Sequence, residues 1–129
     1  MRNKIVLDTS FISAFYISDD VNHKAAVKAY RGLFRTHEFI IPLTVLIELA
    51  VFKNHIRKGL MIDGIIKDLN YSIEYLDKDF YSQLIRYLDS NPFTLKAIDA
   101  TVIFIAQKYQ AELLTFDKKL NKAWEDTNR

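Results

Sequence analysis

Four short runs of aliphatic and β-branched residues, separated by segments with helical spacing, constrain the fold of this chain more than any other feature. They lie at residues 4–7, 38–41, 72–76 and 112–116, and each is predicted to be a strand. Strands that alternate with helices pair in parallel through right-handed crossovers. The sequence therefore predicts an α/β fold with a parallel sheet of about four strands.

Helices are predicted between these runs from the spacing of apolar residues and from start and stop signals. Ser10 is expected to cap a first short helix, and Pro42 closes the second strand before a long apolar helix that begins near Thr44. The other predicted helices lie at residues 22–35, 60–69, 79–88 and 98–109. The segment that follows the fourth run, residues 118–129, has no strand-like pattern.

The composition fits a single ordered domain. The chain has 129 residues, of which 50% are hydrophobic, and this is enough for one core. There is no cysteine, so disulfides, thiolate zinc sites and cysteine nucleophiles are excluded and a reducing compartment is favoured. No apolar run resembles a secretory signal or reaches the ~20 residues that span a bilayer. We therefore expect one domain over residues 1–129, located in the cytoplasm and without a membrane segment.

One apolar stretch, residues 39–52, contains a single ionisable side chain, that of Glu48. A lone buried carboxylate costs several kcal/mol unless it is paired, hydrogen-bonded, protonated or bound to a cation. The presence of Glu48 in such a helix therefore indicates that its charge has a partner.

Three further carboxylates lie where a parallel sheet would gather them. Asp8 and Asp117 follow the first and fourth predicted strands, and Asp99 lies in the first turn of the apolar helix at residues 98–109. Each has a structural explanation of its own, as an N-cap or as a favourable charge at a helix start. Ligand sites in open α/β sheets lie beyond the carboxyl ends of the strands, so we expect these acids to converge there with Glu48.

The types of charged residue indicate which ligands the chain prefers. Oxygen-only ligand sets select hard cations, so the four acids predict a site for Mg²⁺ or Mn²⁺. The three histidines have no metal-ligand spacing among them and are expected at the surface: His23, His37 and His55. Four basic residues repeat at helical spacing and form either a solvated helix face or an RNA-contacting stripe: Lys24, Lys28, Arg31 and Arg35.

These residues fall in stretches that resemble the PIN domain, and within it the VapC-type toxins of toxin–antitoxin pairs. The matching stretches are Ile5 to Ser10, Pro42 through Thr44 to Leu49, Ile98 to Ala100, and Leu113 to Asp117. Together they extend over nearly the whole chain, in the same order and with similar spacing. The resemblance implies a three-layer α/β/α fold.

The resemblance also implies a function. It implies endoribonuclease activity that depends on Mg²⁺ or Mn²⁺, a homodimer, and an antitoxin partner whose tail enters the active-site groove. By the same resemblance the metal is held by Asp8, Glu48, Asp99 and Asp117. The residues that it implies in support of this cluster are Thr9 or Ser10, and Thr115.

Two features depart from the pattern of such domains. They often turn with glycine before the last motif strand, where this chain has Gln110 and Ala111. The turn must then use a different conformation or a non-glycine residue in the left-handed one. Such domains also usually continue into a final strand after the fourth acid, and residues 118–129 do not predict one.

Other functions fit the residues less well. A haloacid-dehalogenase-type phosphatase needs a second aspartate two residues after the first, and this chain has Ser10 there. A receiver-like phosphoacceptor needs an acidic pair near the first strand. A housekeeping RNA-processing nuclease and a non-catalytic RNA-binding or protein-binding module of the same fold remain alternatives to a toxin.

Overall fold

The chain alternates between strands and helices as predicted. The computed structural model describes residues 3–55, 62–68, 70–91 and 95–127. Its elements are, in chain order, β1 (Asn3–Leu7), α1 (Thr9–Tyr16), α2 (His23–Leu33), β2 (His37–Pro42), α3 (Leu43–His55), α4 (Ile62–Lys67), β3 (Tyr71–Glu74), α5 (Lys78–Ser90), α6 (Ala97–Lys108), β4 (Glu112–Leu114) and α7 (Lys118–Thr127). Of the helix predicted at 60–69, residues 60, 61 and 69 lie outside the described residues.

All three strand pairs of the sheet are parallel, in the order β3-β2-β1-β4, which confirms the predicted fold class. β1 is central, since Val6 pairs with Ile40 of β2 on one side and with Leu113 of β4 on the other. Because the strands are parallel, their carboxyl ends meet at one edge of the sheet. Asp8 comes directly after β1, and Asp117 follows the end of β4 by three residues.

Helices cover both faces of the sheet, as a three-layer fold requires. Successive strand residues point to opposite faces, yet Val6, Leu7, Phe39 and Ile40 are each no more than 3% exposed. On one face, the ring of Tyr30 from α2 stacks on Phe39 with 5.1 Å between the ring centres. In the part of the chain that the structure describes, no helix is long and apolar enough to cross a lipid bilayer.

The first helix begins at Thr9, and the prediction that Ser10 caps it is wrong. Asp8 is the N-cap: its backbone is extended, with φ −83° and ψ 162°, and its side chain accepts a hydrogen bond from the Ser10 amide. Both residue types are good N-caps. Ser10 lies inside the first turn, where its hydroxyl contacts residues near the other end of the chain.

Two strands are shorter than predicted. β3 ends at Glu74, and β4 ends at Leu114 because the chain then turns toward side chains of the first helix. There the amide of Phe116 donates to Ser10 Oγ at 2.9 Å. Residues 118–127 form α7, so β4 is an edge strand of the sheet in the described residues.

The turn between α6 and β4 uses a non-glycine residue in the left-handed conformation, one of the two solutions expected from the sequence. Gln110 has φ 50°. Its amide donates to the carbonyl of Gln107 at 3.1 Å, and the amide of Ala111 donates to the carbonyl of Ala106 at 2.8 Å. This Schellman arrangement pairs the last carbonyls of α6, which offsets a left-handed backbone cost of about 1–2 kcal/mol.

Candidate active site

Asp8 is a buried carboxylate, 4% exposed, that is held by donors from two distant parts of the chain. Asp8 Oδ2 accepts hydrogen bonds from Ser10 Oγ at 2.9 Å and from Thr115 Oγ1 at 2.7 Å. The Ser10 amide approaches the same oxygen at 3.4 Å. Among the described residues no hydrogen bond uses Oδ1, so this second oxygen remains available to a ligand.

Thr115 connects Asp8 to the fourth predicted acid. Thr115 Oγ1 lies 3.1 Å from Ser10 Oγ and accepts the amide N–H of Asp117 at 3.0 Å. Asp117 Oδ1 in turn accepts the amide N–H of Leu120 at 3.0 Å, so Asp117 caps α7. Its side chain is nevertheless exposed. Asp117 can therefore cap α7 and also belong to an acidic cluster.

Asp99 is affected by the charges of the other three predicted acids. It is half-buried in the first turn of α6, and its pKa is raised from 3.8 to about 6, mainly because burial disfavours the charged form. The other charges that raise its pKa are, in decreasing order, those of Asp8, Asp117 and Glu48, whereas Lys96 lowers it. Such effects between charges need short distances. The structure therefore brings the four predicted acids together.

Glu48 reaches this edge from α3, the helix that follows β2, and its side chain is half-buried. Thr44 lies one helical turn before it, and Thr44 Oγ1 is buried without a hydrogen-bond partner among the described residues. Thr9 Oγ1, next to Asp8, is also buried without a hydrogen-bond partner among the described residues. An unpaired buried hydroxyl costs about 1–3 kcal/mol. A water molecule or ligand oxygen that reached either hydroxyl would therefore stabilise this region.

The donor set suits a hard divalent cation, although the side chains are not preassembled as a complete ligand set. Carboxylate and hydroxyl oxygens are the ligands that Mg²⁺ and Mn²⁺ prefer, and a cation would reverse the repulsion that raises the pKa of Asp99. Within the described ranges, no three His, Asp or Glu side chains are close enough to hold one ion. An ion would therefore contact some of the acids through water, as Mg²⁺ often does.

The predicted basic stripe is separate from this cluster. Its members are exposed, three of them on α2 and the last beyond the end of that helix: Lys24, Lys28, Arg31 and Arg35. None of these four is among the charges that shift the pKa of Asp99. RNA contact by the stripe stays a prediction. Lys96, which the sequence did not single out, acts on Asp99 from three residues before it in the chain.

The expected surface position of the histidines is wrong for two of them. His23 is half-buried, with Nδ1 2.8 Å from the carbonyl oxygen of Ala14, so it fastens α2 to α1. His37 is also half-buried, and its Nε2 lies 3.7 Å from a carboxylate oxygen of Glu112. The side chain of His55 lies outside the described residues. Neither described histidine affects the pKa of Asp99.

Comparisons with known proteins agree with this fold. The sequence matches the PIN domain family over residues 5–125. The structure is similar to the sarcin-ricin loop cleaving toxin VapC20 of Mycobacterium tuberculosis, with TM-score 0.74, 18% identity, and coverage of 92% of this chain and 94% of that one. It is also similar to VapBC2 of Rickettsia felis, solved with a promoter DNA fragment, with TM-score 0.66, 16% identity and 92% of each chain covered. No curated protein sequence matches this chain.

Proposed function

The chain belongs to the PIN domain family, and from this premise we propose that it is a metal-dependent endoribonuclease that hydrolyses RNA phosphodiester bonds. The observation that carries the proposal is the set of three carboxylates that act on Asp99 at the carboxyl edge of the parallel sheet. Ligands bind at that edge in open α/β folds. Burial, followed by repulsion from these like charges, raises the pKa of Asp99, and perturbed carboxyl groups of this kind mark functional sites.

We assign the metal to the four acids. Asp8, Glu48, Asp99 and Asp117 would hold Mg²⁺ or Mn²⁺, some of them through water. When bound, such an ion activates water for attack and neutralises charge on the phosphate. A cation bound among several carboxylates would also offset the repulsion between their charges.

The remaining residues of the site keep the acids in place. The hydroxyls of Ser10 and Thr115 both donate to Asp8 Oδ2, so they fix the orientation of the carboxylate and leave Oδ1 toward the ligand. Thr115 also receives the amide of Asp117, which ties the fourth acid to the first. Thr9, whose buried hydroxyl has no partner in the described residues, is the third supporting residue that we assign.

We also propose that the protein is the toxin of a type II toxin–antitoxin pair. In support, its fold extends over 94% of VapC20, a toxin that cleaves the sarcin-ricin loop. A homodimer and an antitoxin complex both need apolar surface. Two exposed apolar pairs offer it, Ile47 with Val51 on α3 and Tyr81 with Ile85 on α5. Action on cellular RNA implies a cytoplasmic location.

The experiment is a cleavage assay on single-stranded and structured RNAs with Mg²⁺, with Mn²⁺ and with chelator. Cleavage should require the metal, and Asp8→Asn and Glu48→Gln should each abolish it while the protein still folds. Asp63→Asn, an exposed acid of α4 outside the cluster, is the matched control and should cleave as the wild type does. Near wild-type rates for both cluster variants would contradict the assignment of the site.

A further inference from the structure

The charges of α7 run in the order that the helix dipole disfavours. Lys118 and Lys119 lie in its first turn, and Glu125 and Asp126 lie in its last. Acids are favoured at a helix start and bases at its end. α4 follows that rule, with an acid in its first turn and a lysine in its last. The lysines that open α7 are therefore not explained by the stability of the helix.

α6 also begins with a lysine. Lys96 is its N-cap, with φ −65° and ψ 157°, and makes no side-chain capping hydrogen bond. N-cap side chains that accept a hydrogen bond are preferred, and an ammonium group has no acceptor. Natural sequences depart from local preferences chiefly at functional sites. α6 otherwise follows the dipole rule, with Asp99 in its first turn and Lys108 in its last, so its only departure is the lysine at its N-cap.

In both helices these lysines lie beside the acids of the candidate site. Lys118 and Lys119 directly follow Asp117, and Lys96 lies three residues before Asp99, on which its charge acts. All three lysines are exposed, and none forms an ion pair with a residue that the structure describes. We call Lys96, Lys118 and Lys119 the lysine cluster.

We propose that the lysine cluster binds the backbone phosphates of RNA next to the bond that is cleaved, an inference that rests on the proposed function. Four carboxylates repel a polyanion, so RNA needs compensating cations close to them. Lysine binds phosphate as a compact point charge with three donors. The α2 stripe is less suited to this role, since none of its members lies within three residues of any of the four acids.

The first test is equilibrium binding of a short fluorescein-labelled single-stranded RNA, followed by anisotropy in chelator over a series of salt concentrations. For a single strand, the slope of log affinity against log salt is about 0.7 per phosphate contact. The variant Lys96→Gln with Lys118→Gln and Lys119→Gln should therefore have a slope smaller by about 2. Its charge-matched control replaces three exposed cations on other helices with Gln, and these are Lys67, Lys78 and Arg86. Equal slopes for the two triple variants would overturn the proposal.

The second test separates contacts with flanking phosphates from the chemistry. In Mn²⁺, the double variant Lys118→Gln with Lys119→Gln, which keeps the charge of Lys96 that acts on Asp99, should show a KM for RNA raised about tenfold. Its kcat/KM for bis(p-nitrophenyl) phosphate, a diester without flanking phosphates, should stay within about twofold of the wild type. If both activities fell together, the lysines would serve the carboxylates and not the RNA. A wild type that cleaves neither substrate would refute the proposed function, and the binding slopes would still decide the role of the lysines.

Discussion

Replacing Asp99 with Asn removes one of four mutually repelling charges and keeps the size of the side chain. The fold raises the pKa of Asp99 from 3.8 to about 6. At about 1.4 kcal/mol per pKa unit, the ionised carboxylate would destabilise the native state by about 3 kcal/mol. Because the side chain is only half-buried, solvent screening reduces this to about 1–2 kcal/mol. Loss of the favourable helix-dipole interaction of Asp99 opposes the gain by about 0.3–1 kcal/mol.

The pH range of this effect follows from the direction of the shift. An acid whose pKa is higher in the folded than in the unfolded state binds its proton more tightly when folded. The destabilisation is therefore absent below pH 3.8, grows as the pH rises, and is complete above about pH 6. In chelator at neutral pH, Asp99→Asn should be more stable than the wild type by about 1 kcal/mol, and the two should be closest in acid.

A divalent metal should reverse the order of stability of the wild type and Asp99→Asn. An ion that binds the folded site stabilises it by about 2.7 kcal/mol at a hundredfold excess over its dissociation constant. The wild type should therefore gain more stability from Mn²⁺ than Asp99→Asn does. The assay is thermal unfolding of both proteins with chelator and with Mn²⁺, at acidic and neutral pH, with Asp63→Asn as control.

Two results would refute this reasoning. Equal gains from Mn²⁺ in the wild type and in Asp99→Asn would mean that Asp99 does not contact the metal. A variant clearly less stable than the wild type in chelator at neutral pH would mean that Asp99 serves the start of α6. Neither measurement requires knowledge of the RNA substrate.

Two further predictions concern other parts of the molecule. Gln110→Gly should raise the free energy of unfolding by about 0.5–1 kcal/mol, because glycine relieves the left-handed backbone but loses some entropy. Thermal unfolding measures this, and Gln110→Ala as control should be close to neutral. Removing the charges of the α2 stripe should weaken RNA binding and flatten its salt dependence. Unchanged binding would assign a solvating role to its residues, Lys24, Lys28, Arg31 and Arg35.

The sequence predicts the sheet well because a strand buried on both faces must be apolar along its length, as Ile5–Leu7 is. It does not decide the cap of α1, since Asp8 and Ser10 are equally good caps in isolation. The choice depends on Thr115, whose hydroxyl lies 3.1 Å from Ser10 Oγ and is 105 residues away in the chain. The sequence around Asp8 and Ser10 does not indicate that contact.

The residues of the candidate site, too, can be predicted from the sequence only in part. Isolation in apolar segments singles out Glu48 and Asp99, and positions after strands single out Asp8 and Asp117, so the acids can be predicted as a set. Lys96 cannot, because exposed lysines are common and only its place at the start of α6 distinguishes it. The mutual effect of the acids also needs the fold, since it depends on distances between four separate segments.

The hydrogen bond from Thr115 to Asp8 joins residues that are 107 positions apart. Contacts of such long range form after local structure, and a ribosome releases the amino-terminal part of a chain first. A nascent chain that has completed β1, β2 and α3 already contains Asp8 and Glu48, but it lacks Thr115, one of the two hydroxyls that orient Asp8, and two of the four acids. If the four acids form the site that we propose, the site is therefore incomplete until synthesis has passed residue 117.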